Sequence, residues 1–248
     1  MFWFLIERFL YIITFMIEIV NLSKKDKKNR LILNNLNFNI HENELHVFLG
    51  KNGAGKTVTL GIICGLDSEF SGKILKDNVD IYKSNKTNNY LFVPTDIRFP
   101  NHLKVIDLIK FYVNEIFELE TNELFINETL KEFHLDERKD YLPKKLSSGE
   151  KRKLMLLISK LVKLKYLFLD EPEANLDPYS RNELFKLLNM LKKEGTSIFT
   201  SSHLISEELQ DIDRITILHN KTIVLSEKVK SAKNLKIIFD NFKRDGYD

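Results

Sequence analysis

Four short runs in the sequence carry residues whose types and spacing could do chemistry. The first, GKNGAGKT at positions 50–57, matches G-x-x-x-x-G-K-[ST] in full. Gly50, Gly53 and Gly55 let backbone N–H groups wrap a phosphate where side chains would collide. Lys51, Asn52 and Ala54 complete the loop, and Val58 follows it. In such a loop Lys56 bridges the β- and γ-phosphates, and the Thr57 hydroxyl binds Mg²⁺. The second run, YLFLDEP at 166–172, ends in two acids. Asp170 can hold Mg²⁺ through water. Glu171 points the other way if strand geometry persists. It can then reach a water in line with the γ-phosphate as general base, a role worth about 10²–10⁴ in rate. Glu173 is a second candidate base. The third run, SIFTSSH at 197–203, brings His203 to the end of a strand. The fourth, LSSGE at 146–150, sets Ser147, Ser148 and Gly149 at a helix start, where free N–H groups make an anion site. Lys151, Arg152 and Lys153 crowd that first turn, where the helix dipole disfavours cations by about 0.3–1 kcal/mol each.

These residues need rigid elements behind them. LHVFL at 45–49 reads as a strand, and TVTLGIIC at 57–64 as a buried helix that stops at Gly65. Strand, glycine loop, helix is the order the first motif requires. The apolar run before Asp170 reads as a buried parallel strand, whose carboxyl end is where α/β sheets place ligands. After LSSGE a helix is expected from Glu150 to about Val162, with Leu154, Leu157, Ile158 and Leu161 at helical spacing. A loop at 174–180 holds Asp177. It leads into a helix from about Pro178 that sets Leu184, Leu187, Leu188 and Leu191 on one face and ends at Gly195.

The chain's 248 residues, 43% hydrophobic and 29% charged, suit one large globular domain or a core with a subdomain. A net charge of +3 is too small to argue for a nucleic-acid partner. Cys64 is the only cysteine, which excludes an internal disulfide and suggests a small buried hydrophobe. Residues 1–15, MFWFLIERFLYIITF, are apolar but interrupted by Glu7 and Arg8. They fall short of the roughly 18 uncharged residues a span needs. A basic start and a small-residue cleavage site, the marks of a signal peptide, are absent from them. Three readings stay open: untranslated sequence upstream of a start at Met16, a helix packed on the domain or a partner, or a segment lying on a membrane surface.

GKNGAGKT, LSSGE, YLFLDEP and TSSH, arranged so that LSSGE shortly precedes the acidic strand and the histidine strand follows it, resemble the ATP-binding subunits of ABC transporters. The resemblance runs from residue 16 to about 225. It includes LKVIDLIKFYVNEI at 103–116, similar to the helical subdomain, and DRITILHNKTIV at 213–224, similar to the closing strand pair. It implies an α/β P-loop ATPase fold with a parallel-sheet core, an antiparallel β layer and a helical subdomain at about 95–160. Residues 16–226 would form the ATPase domain, and 227–248 a short tail. It also implies a head-to-tail dimer, homomeric or with a related ATPase. Ser147, Ser148, Gly149 and Glu150 of each copy would then cap the ATP held by the other. By the same likeness Asp177 crosses the dimer interface and His203 hydrogen-bonds the γ-phosphate. ATP and Mg²⁺ are the implied ligands.

The pattern is departed from in places. Thr95, followed by Asp96, stands where the family has a glutamine that contacts Mg²⁺, so either is a further metal candidate. NLSKKDKKNR at 21–30 lacks the aromatic residue on which adenine stacks, and its lysines read as a solvated turn. Ser148 replaces a glycine and Glu150 a glutamine of the signature. Val58 stands where a hydroxyl is frequent, and Asn175 where glycine is. The resemblance thus implies an ATPase that works at the cytoplasmic face of a membrane, bound peripherally to a separate permease subunit and resembling bacterial exporters. A soluble ABC ATPase of a non-transport assembly and a nucleotide-gated clamp that hardly hydrolyses ATP are the alternatives.

Overall fold

In a computed structural model of the chain, residues 16–83, 90–120, 122–203 and 211–244 are described. The apolar extension at 1–15 lies outside them. Strand β1 (Met16–Lys25) pairs antiparallel with β2 (Leu31–His41), and β4 (Ser71–Lys76) and β5 (Val79–Asp80) extend this sheet in the order β2-β1-β4-β5. Alternation along β1 sends Ile17, Ile19 and Leu22 inward. A bulge lies between Ile19 and Leu22, where Asn21 adopts φ 51°, so the inward set changes phase by one residue.

The second sheet has six strands. It contains β3 (Leu45–Leu49), β6 (Tyr90–Val93), β7 (Tyr166–Leu169), β8 (Ser197–Ser202), β9 (Arg214–His219) and β10 (Thr222–Lys228), in the order β10-β9-β3-β8-β7-β6. All pairings are parallel except the edge hairpin β9–β10. Both faces of the central strands are covered, so β3, β7 and β8 are buried throughout. Their alternation feeds two cores. Val47, Leu167, Leu169 and Ile198 face one side. Phe48, Phe168 and Phe199 face the other, where Phe38 of β2 stacks on Phe48 and Phe199 at ring separations of 5.4 and 5.9 Å.

The helices follow the expected order. Helix α1 (Lys56–Ile63) leaves β3 through the glycine loop. Next come α2 (Val105–Phe111), which runs into a π turn at Tyr112–Ile116, and α3 (Glu123–Glu132). Helix α4 (Ser148–Leu161) starts two residues before the expected Glu150, because Ser147 rather than a later residue supplies the N-cap. Leu154, Leu157, Ile158 and Leu161 are all buried on it. Helix α5 (Pro178–Lys193) buries Leu184, Leu188 and Leu191. The segment expected as a tail carries α6 (Ala232–Arg244), whose Leu235 and Ile238 join the larger core. No helix among the described residues is long and apolar enough to cross a membrane.

Sheet order decides what happens next. β3, β8 and β7 are neighbours, in register at Leu49↔Ser202 and Leu169↔Thr200. Their carboxyl ends therefore bring the residues that follow them, far apart in sequence, to one rim.

Candidate nucleotide site

The glycine loop occupies that rim. Gly50 N–H donates to the Ser202 carbonyl at 3.2 Å, and a Cβ on Gly50 would lie 2.7 Å from the Leu218 carbonyl oxygen. Gly55 has φ 113°, and a Cβ there would lie 2.5 Å from Leu33 Cδ2. Only glycine meets both demands. Gly55 also caps α1 without a side-chain hydrogen bond, so the first N–H groups of the helix lack side-chain acceptors. Lys51, Asn52 and Gly53 are exposed, Ala54 half-buried, and Val58 packs against the smaller core. Lys56 folds back inside the loop. Its Nζ donates to the Gly50 carbonyl at 2.7 Å and the Lys51 carbonyl at 3.1 Å, and lies 3.0 Å from Glu171 Oε1.

Asp170 and Glu171 diverge, but not by continued pleating. β7 ends at Leu169, and Glu171 adopts φ 45°, a left-handed conformation costly for a residue with a Cβ. That turn aims its carboxylate at Lys56, while Oε2 lies 3.0 Å from His203 Nδ1, close but not in hydrogen-bond alignment. Asp170 is buried. Its Oδ1 accepts from Ser201 Oγ at 2.7 Å and its Oδ2 from Thr57 Oγ1 at 2.8 Å. Ser201 Oγ also accepts from Glu171 N–H at 2.9 Å, so one hydroxyl holds both acids. Sequence reasoning passed over Ser201. Its signal was a serine pair inside an otherwise buried strand, where a polar group needs a partner.

Thr95 reaches the site despite its short side chain. Its Oγ1 donates to the Asp170 carbonyl at 2.9 Å and lies 3.3 Å from Asp170 Oδ2. Asp96 does not; it is exposed and paired with Arg98 at 2.8 Å. Thr57 Oγ1, Asp170 Oδ2 and Thr95 Oγ1 thus converge as hard oxygen donors. Among the described residues no cluster of three or more His, Cys, Asp or Glu could cage a metal. Few protein oxygens beside a phosphate loop is the donor set that suits Mg²⁺, which keeps waters and takes phosphate oxygens. The residues fit the ion.

LSSGE and Asp177 sit elsewhere. Ser147 Oγ accepts from Glu150 N–H at 3.1 Å, and the Glu150 carboxylate accepts from Ser147 N–H at 2.8 Å, a reciprocal capping box. Burial pushes the Glu150 carboxyl up, but hydrogen bonds from Arg138 and Ser147 outweigh it and leave it below the ordinary value. A cavity of about 380 Å³ opens there, lined by Ser147, Gly149, Glu150, Arg152, Leu176 and Ser180 among others, and by no residue of the glycine loop. Ser148 is exposed. Asp177 caps α5 by accepting from Ser180 N–H at 3.0 Å, and the Ser180 hydroxyl, together with that N–H, draws its carboxyl down. Asn175 adopts φ 60°, the conformation that makes glycine frequent there.

One expectation changes. Lys24 is not part of a solvated turn: it is buried and pairs with Asp67 at 2.9 Å. Of the cations after LSSGE, Arg152 is buried and Lys153 pairs with Glu183 at 2.8 Å.

Residues 33–174 match the family model described as "ABC transporter". Over 226 residues the chain is 31% identical to a lantibiotic transport ATP-binding protein of Streptococcus pyogenes, covering 91% of this chain and 96% of that one. It is 30% identical over 240 residues to a tyrosine transport ATP-binding protein of Clostridioides difficile, at 90% and 96% coverage. Among solved structures, the ATP-binding subunit of an ABC transporter superposes with a TM-score of 0.76 at 23% identity, over 91% of this chain and 99% of that one. A component of the ABC transporter complex cbiONQ from Clostridium perfringens gives 0.75 at 25% identity, covering 93% of each chain.

Proposed function

This chain belongs to the ABC transporter family of ATP-binding proteins, and from that premise we propose that it binds and hydrolyses Mg-ATP to drive transport through a separate membrane subunit. One observation carries the catalytic part. The Glu171 carboxylate stands between Lys56 Nζ and His203 Nδ1, at 3.0 Å from each, beside the Thr57–Asp170 pair. Lys56 and the loop N–H groups would take the β- and γ-phosphates. Thr57 and Asp170, with Thr95, would hold Mg²⁺. Bound there, Mg²⁺ would neutralise charge on the phosphates.

In this arrangement Glu171 is already ion-paired with Lys56. A γ-phosphate entering the loop would compete for that ammonium and free the carboxylate to receive a proton from water. His203, on the far side of Glu171, would orient that water. Closure of two copies would place each Ser147–Glu150 cap on the other's triphosphate, and hydrolysis would reopen them. A peripheral place at the cytoplasmic face of the membrane follows from the likeness to transport ATP-binding proteins.

The relatives named for lantibiotic and for tyrosine transport differ in cargo, so the ATPase rather than the cargo is the shared part. Phosphate release tests the reaction: the wild-type chain turns over Mg-ATP, and Glu171→Gln loses at least about a hundredfold, the lower bound for a general base. Equal, near-zero rates for both would favour the nucleotide-gated clamp. Affinity capture from detergent extracts tests the partnership, which predicts an integral membrane protein in the complex; recovery only as a soluble complex would contradict it.

A further inference from the structure

Arg152 and Glu173 are two opposite charges buried without full satisfaction. Arg152, on the second turn of α4, is 3% exposed, and Glu173, in the segment after β7, is 2% exposed. Glu173 Oε1 accepts from Ser202 Oγ, but its Oε2 has no hydrogen-bond partner. Neither do Arg152 Nε and Nη1. The Glu173 carboxylate is the charge that acts on Arg152. An unpaired buried charge is strongly destabilising, so two opposite charges left unbonded, the one acting on the other, mark a contact that is available to be completed.

The surroundings say what such a contact would do. Glu173 lies two residues from Glu171, and the charges of Glu171 and His203 act on it. Ser202, which holds Glu173, follows Ser201, which holds Asp170 and Glu171 N–H. Arg152 lines the same cavity as Ser147 and Gly149. We infer that Arg152 is a positioning residue: its guanidinium closes on Glu173 Oε2 and fixes the segment that carries Glu171, joining the Ser147 cap of one copy to that copy's own catalytic acid. Glu173 is the receiver of this contact and not a base, since its carboxylate is turned to Ser202. Burial raises its carboxyl above its ordinary value, a penalty on the charged form that an approaching cation would offset. The inference rests on the ATPase reading for its catalytic half only.

A double-mutant cycle tests it with Arg152→Gln, Glu173→Gln and the pair combined, in the full chain. Thermal unfolding without nucleotide reads the pairing, and kcat and KM for ATP read its consequence. Each single change leaves one buried charge alone and is expected to lower kcat about tenfold with KM within about twofold, and the combined change to recover most of that loss, as interacting neighbours do. Arg152→Lys, which keeps charge but not the planar fork, should recover only part. If Arg152→Gln does not fold, refolding by added Glu173→Gln supports the pair, and failure to refold overturns it. Additive unfolding shifts defeat the pair outright. Additive kcat losses, or a loss confined to KM, defeat the positioning role. A wild-type chain without turnover defeats the ATPase reading and the catalytic half with it, while coupled unfolding would still stand.

Discussion

Glu171 shows how a residue's place can override its strand. Pleating alone would separate it from Asp170; the chain instead turns it at φ 45°, a conformation that costs of order 1–3 kcal/mol outside glycine. The ion pair with Lys56 and the N–H bond to Ser201 hold it there. Ser201→Ala therefore removes the one hydroxyl shared by both acids. We expect kcat to fall roughly tenfold, with stability lower by about 1–3 kcal/mol, because a buried carboxylate oxygen and an N–H lose their partner together. Parallel turnover and urea-unfolding measurements check this. Glu150 carries a pH prediction. Its folded carboxyl lies below its unfolded value of about 4.5, so its contribution is present above that pH and is lost as pH falls through the folded value. Glu150→Gln keeps an oxygen for Ser147 N–H but loses the charge paired with Arg138, so it should destabilise the chain by about 0.2–1 kcal/mol at neutral pH, and the difference from wild type should shrink in acid. Unfolding midpoints at several pH values would show it.

At the scale of elements, two glycines separate constraint from tolerance. Gly55→Ala should destabilise by more than about 1 kcal/mol and abolish nucleotide binding, since φ 113° and Leu33 Cδ2 both refuse a Cβ. Gly61→Ala, in α1 with open space around it, should stabilise by about 0.5–1 kcal/mol. Melting curves and nucleotide titrations of the two variants distinguish them. Much of this scale was legible beforehand. The glycine loop, the buried strand before Asp170 and the helix after LSSGE each announce themselves through local pattern. What escaped was non-local. Nothing near Arg152 in sequence says that it is buried, because its neighbour Glu173 arrives from after the next strand. Nothing near Lys24 says that Asp67 will meet it. Thr95, shorter than the glutamine it replaces, still meets Asp170 because β6 and β7 pair in register. The α6 helix was read as a tail because its amphipathic face, burying Leu235 and Ile238, makes sense only once the larger core exists to receive it.

For the whole molecule, sheet order explains which residues share a rim, and on the proposed function one chain would hold half of two sites. Adjacent β3, β8 and β7 gather Lys56, Asp170, Glu171 and His203 on one rim. The Ser147 cap belongs to α4, and its cavity shares no lining residue with that rim's glycine loop. A second copy would complete both. Sedimentation of Glu171→Gln, with Mg-ATP, with Mg-ADP and without nucleotide, tests this most directly, repeated with Ser147→Arg added. The account predicts a dimer only with Mg-ATP, and its loss when Ser147 is replaced. A chain that stays monomeric with saturating ATP while the wild type turns over independently of its own concentration would contradict it.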